Sequence, residues 1–112
     1  EDPAVMALVL ERGVTLEVCP SSNVDSGVCP SLTAHQLPRL IAAGVRATLN
    51  TDDPLISGIT LTDEMARALE SMGVTPADLK TMTYHAARAA FLTDEERAGL
   101  LTRLDAGWQA VA

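Results

Sequence analysis

The stretch Val45-Arg46-Ala47-Thr48-Leu49-Asn50-Thr51-Asp52-Asp53-Pro54 governs how the chain is read. It opens as a short apolar run with β-branched residues, which predicts a buried strand. Two adjacent carboxylates and a proline close it. Asp and Pro are depleted in strand interiors, so the strand should stop near Thr51. Asp52 and Asp53 then lie where the strand opens into a loop. In α/β folds, ligands bind at the carboxyl ends of parallel strands. Either aspartate also suits a turn or a helix cap. Two like charges side by side equally invite a metal ion or a cationic group.

Upstream of this corner, a helix is expected over about Gln36 to Ala43, stopped by Gly44. Before it, Val14 to Cys19 predicts a second strand. Its alternation is imperfect, which fits burial on both faces. Pro20-Ser21-Ser22-Asn23 ends that strand with turn chemistry, and Ser21 to Thr33 reads as a long irregular loop. A first helix is capped by Asp2, takes Pro3 in its first turn and stops at Gly13. Val5, Met6, Leu8, Val9 and Leu10 give it a broad apolar face.

Downstream, Leu55 to Ile59 reads as a glycine-bearing loop. Thr60 and Asp63 have capping-box spacing, predicting a helix from Leu61 to Met72. Thr75-Pro76 starts another, to about Ala90. Thr93 before three acidic residues caps a last helix through Leu104. Alternation of helix and strand argues for a parallel sheet with crossover helices. Two strands cannot cover both faces of a sheet or close its edges. A complete (β/α)₈ barrel takes about 250 residues. Residues 1–112 therefore read as the C-terminal quarter to third of one such α/β barrel domain, with extra C-terminal helices. The helix-first start at Glu1 suggests the interior of something larger.

Composition bounds the partners. Of the 112 residues, 47% are hydrophobic but only 3% aromatic, so the core must be built from Ala, Leu, Val and Met. A net charge of −7 argues against nucleic-acid binding through a basic face. No apolar run is long enough for a membrane span. Cys19 and Cys29 do not make a disulfide framework, and with no secretion signal visible the expected setting is cytoplasmic. Both read as small buried apolar residues. Asp63, Glu64 and Asp94-Glu95-Glu96 read as helix-start charges. Tyr84, Phe91 and Trp108 are expected to be packing anchors.

Taken together, Glu17-Val18-Cys19-Pro20-Ser21-Ser22-Asn23, His35, Ala43-Gly44-Val45 and Leu49-Asn50-Thr51-Asp52-Asp53-Pro54 resemble, in order and spacing, the C-terminal part of the adenosine deaminase family of zinc-dependent hydrolases. Gly58, Leu61, Glu64 and Ala87 to Leu92 agree as well. The resemblance implies a barrel that deaminates adenosine and 2'-deoxyadenosine hydrolytically, adenosine giving inosine and ammonia. It implies one zinc ion, with Asp52 as a ligand and Asp53 bound to a purine ring nitrogen. The family's zinc histidines and catalytic glutamate lie upstream of the region that Glu1 begins. His35 reads as structural and His85 as packing or surface. No catalytic residue is therefore expected in this chain, which would be inactive without the rest of the barrel. Two alternatives remain open: a deaminase of adenine or another 6-aminopurine, and a truncated non-catalytic protein that binds partners through an exposed sheet edge. The unrelated cytidine-type zinc deaminases carry H-x-E and P-C-x-x-C, and neither occurs here.

Overall fold

The computed structural model describes residues 2–111. Two parallel strands lie at its centre, β1 (Thr15–Val18) and β2 (Arg46–Leu49), with Leu16 opposite Ala47 and Val18 opposite Leu49. Asn50 carries the pairing one step further: its backbone N–H donates to the Val18 carbonyl at 2.9 Å. Its side chain donates to Thr48 Oγ1 at 2.7 Å. The side chain of Asn50 is thereby turned back onto the strand end.

Helix α1 (Pro3–Arg12) has the expected Asp2 cap, and Gly13 ends it in the left-handed conformation at φ 60. Its apolar face is not a core face among the described residues, since Val5, Leu8 and Leu10 are exposed. The expected irregular stretch after β1 is largely ordered. It forms helix α2 (Pro20–Asp25) and a single 3₁₀ turn, Leu32–Ala34. Pro20 takes the first helical position, where its missing N–H costs nothing. Helix α3 (Leu37–Ala42) then leads into β2.

The expected loop after the corner is also helical: Pro54–Ser57 forms the single turn α4, closed by Gly58 at φ 63. The next two helices, α5 (Leu61–Ser71) and α6 (Pro76–Ala89), carry full capping boxes from Thr60/Asp63 and Thr75/Asp78. Helix α7 (Asp94–Val111) outruns its expected end at Leu104.

The core lies on one side of the sheet, where Val18 and Ala47 meet Leu37, Ala68, Met72, Val74, Leu79 and Met82. Burying these side chains contributes roughly 1.5–3 kcal/mol each for the larger ones. Burial of β1 on both faces is not seen within residues 2–111: Glu17 is exposed, and Val18 alone in the strand is fully buried. Thr15 and Leu16 are only half-buried, so the imperfect alternation of β1 does not translate into burial on both faces here. His85 ties α6 to the sheet through Nδ1, which donates to the Ala47 carbonyl at 3.2 Å. Phe91 is not a packing anchor; it is fully exposed in the turn between α6 and α7. Arg97 bridges that turn, donating to the carbonyls of Ala87, Arg88, Ala90 and Leu92. No helix among the described residues is long and apolar enough to cross a membrane.

Candidate metal and substrate corner

Because β1 and β2 are parallel and in register at Val18 and Leu49, their carboxyl ends open side by side. The start of α2 is thereby brought against the Asp52-Asp53 corner. Ser22, in the first turn of α2, donates from Oγ to Asp52 Oδ2 at 2.8 Å. Asp52 is exposed and takes φ 60, the sole positive φ outside glycine among the described residues. That conformation turns the chain sharply between strand and α4. A residue with a Cβ holds it only against steric cost.

Asp53 caps the turn that follows the corner. Its Oδ1 accepts the backbone N–H groups of Leu55 at 3.0 Å and Ile56 at 3.3 Å, so it caps α4. Its Oδ2 has no hydrogen-bond partner among the described residues and remains available to a ligand. The turn-former reading is thus met by one oxygen of the carboxylate.

Cys19 follows β1 at the cap position of α2. Burial pushes its thiol up, and the nearby charges of Asp52 and Glu17 push it further, against a backbone hydrogen bond at Asp52 that acts the other way. Cys29 is buried, and its Sγ donates to the Ser31 carbonyl at 3.2 Å. His35 is structural. Leu37 N–H donates to its Nδ1 at 3.0 Å, so Nε2 carries the hydrogen and donates to Asn23 Oδ1, also at 3.0 Å. With both ring nitrogens engaged it pins α2 to the start of α3. Burial lowers its pKa, in keeping with a neutral ring. Among the described residues no group of three or more His, Cys, Asp or Glu side chains could hold a metal ion.

Glu64 is the residue whose sequence reading fails. It is not a solvated helix-start charge but a fully buried carboxylate, accepting the Ser21 backbone N–H on Oε1 at 2.8 Å. The signal was present: Glu64, Ala68 and Met72 recur at helical spacing, and all three are buried.

An adenosine deaminase of Serratia proteamaculans is 37% identical over 87% of this chain and 29% of its own length. An adenine deaminase of Chelativorans sp. is 42% identical over 93% of the chain and 32% of its own. The crystal structure of an adenine deaminase from Arthrobacter aurescens superposes with a TM-score of 0.91 at 27% identity, over 96% of this chain and 33% of that one. These relatives are deaminases, and the chain spans about a third of their length. The adenosine deaminase family model matches residues 1–107, and the chain belongs to that family, matching its C-terminal portion.

Proposed function

We propose that these residues complete the C-terminal part of a (β/α)₈ barrel that removes the 6-amino group of adenosine and 2'-deoxyadenosine by hydrolysis, with one zinc ion. The observation that carries this reading is the Ser22-held Asp52 beside the half-occupied Asp53, at the carboxyl ends of two parallel strands.

The donor chemistry fits zinc in part. With Oδ2 held by Ser22, Asp52 has Oδ1 to offer, and a carboxylate oxygen completes sites otherwise built from imidazole. Zinc sites take about four ligands, so the others must come from outside the described residues. Bound zinc would supply a water acidic enough to attack at neutral pH. The parts played by this chain's own residues are orientation and recognition. Ser22 fixes the plane of the Asp52 carboxylate, as partners of metal ligands commonly do. Asp53 Oδ2 meets a purine ring nitrogen. The ring nitrogens of a 9-substituted purine bear no hydrogen, so that bond needs the proton on the Asp53 carboxyl.

Adenine as the substrate is the second reading. It is favoured by the adenine deaminases among the relatives, at up to 42% identity. The test is ammonia release from adenosine, 2'-deoxyadenosine and adenine by protein with the complete barrel, beside its zinc content. Turnover of a nucleoside at far higher kcat/KM than adenine is expected. The reverse order would establish the second reading, and no turnover of any 6-aminopurine by zinc-loaded protein would overturn both.

A further inference from the structure

The helix that presents Ser22 lacks a cap of its own. Helix α2 begins at Pro20, which has no N–H, and Cys19 at the cap position makes no side-chain hydrogen bond to it. The first free amide, that of Ser21, donates instead to Glu64, 43 residues further along. Arg67, also on α5, donates from its guanidinium to Ser21 Oγ at 2.8 Å. Ser21 is thus gripped by α5 through both its backbone and its side chain.

Glu64 is 0% exposed, and its Oε2 is buried with no hydrogen-bond partner among the described residues. A buried carboxylate bonded through one oxygen is costly, and an apolar residue of similar size would cost less. What such a group holds in place therefore explains it better than what it adds to stability. It holds the amide next to Ser22, and Ser22 in turn holds Asp52. Asp52 takes a left-handed backbone conformation, at φ 60.

We propose that Glu64 is a positioning residue for Asp52: it anchors the first turn of α2, so that Ser22 reaches the Asp52 carboxylate from a fixed direction. This rests on the reading of Asp52 as a metal ligand. The test measures zinc affinity by chelator competition, beside Tm, in protein with the complete barrel. The variants are Asp52→Ala, Ser22→Ala, Glu64→Ala, Glu64→Gln and the double Ser22→Ala/Glu64→Ala. Asp52→Ala should abolish tight binding. Ser22→Ala and Glu64→Ala should each weaken zinc affinity about ten- to a hundred-fold. The double variant should be no weaker than Ser22→Ala, because both act through one bond. Glu64→Gln keeps an oxygen for the Ser21 amide and should stay within about threefold of the unaltered protein. If Glu64→Ala does not fold, Glu64→Asp draws the carboxyl back by one methylene and gives the same comparison. Zinc affinity unchanged in Glu64→Ala or Glu64→Asp, with only Tm lowered, would overturn the proposal, as would additive losses in the double variant. Zinc binding kept in Asp52→Ala would instead overturn the ligand reading, and this proposal with it.

Discussion

Ser22 Oγ and Asp52 Oδ2 lie 2.8 Å apart although 30 residues separate them in sequence. The bond joins the helix that follows β1 to the corner that follows β2. It exists because parallel pairing brings both strand ends to the same side. A hydroxyl donating to a carboxylate is a charge-assisted bond, stronger than a neutral one. It engages one of the two carboxylate oxygens of Asp52.

The backbone at Asp52 gives a prediction about stability that is separate from chemistry. Replacing Asp52 with Ala or Gly removes the same carboxylate. Gly relaxes the positive φ, whereas Ala must bear a left-handed conformation costing about 1–2 kcal/mol. Asp52→Gly should therefore be the more stable variant, by about 1 kcal/mol in urea unfolding. Equal midpoints and slopes would show that the corner relaxes on its own.

Asp53 should separate its two tasks. Asp53→Ala loses the cap of α4, at about 1 kcal/mol, and the purine contact. Zinc content should be retained, while kcat/KM falls about ten- to a hundred-fold. Asp53→Asn keeps an oxygen for the amides of Leu55 and Ile56 and offers an N–H to the purine. It should be more active than Asp53→Ala on a nucleoside. Metal analysis and steady-state kinetics on both variants decide this; loss of zinc in Asp53→Ala with its retention in Asp52→Ala would reverse the two roles.

Three capping carboxylates should set the acid limb of stability. Hydrogen bonds from Thr60, Thr75 and Thr93 hold Asp63, Asp78 and Glu96 below their ordinary pKa values. A depressed folded-state pKa contributes stability that is present above the unfolded-state value and lost as pH falls through the folded one. The loss should begin near pH 4, around the unfolded values of about 3.9 for Asp and 4.3 for Glu. The combined variant Asp63→Asn, Asp78→Asn, Glu96→Gln should show a shallower fall in unfolding free energy below that pH. An unchanged slope in denaturant titrations across the range would refute the assignment.

Arg97 is expected to hold the α6–α7 junction. Its guanidinium serves four carbonyls from α6 and the turn after it. Arg97→Ala should destabilise by about 2–3 kcal/mol, since bonds to a charged group are worth about 1.5–3 kcal/mol and water replaces part of them. Arg97→Lys should recover only part, because an ammonium cannot fork over several carbonyls at once. Thermal unfolding of both variants, with Lys matching wild type, would count against a forked role.

Local chemistry made most of the elements legible. Pro3 and Pro76 mark helix starts, Gly13 marks a stop, and Thr60, Thr75 and Thr93 announce their caps, because each acts within three or four residues of itself. The adjacent aspartates after an apolar run located the candidate site for the same reason. By itself, then, the sequence determined the two strands and the longer helices, the family, and the place where two carboxylates leave a strand.

Tertiary structure alone decided what those residues do to one another. The first free amide of α2 is met by Glu64 from 43 residues away, a partner no local pattern contains. Ser22 serves Asp52, and His35 is spent on Asn23 and Leu37, only once α2 has folded against the strand ends. Glu64 itself looks like any acid in a first helical turn until its face is buried against α2. Hydrogen bonds are short-ranged and directional, so they bind what packing has already brought within about 3 Å. The parallel crossover does that here, and it is a property of the folded chain rather than of any stretch within it.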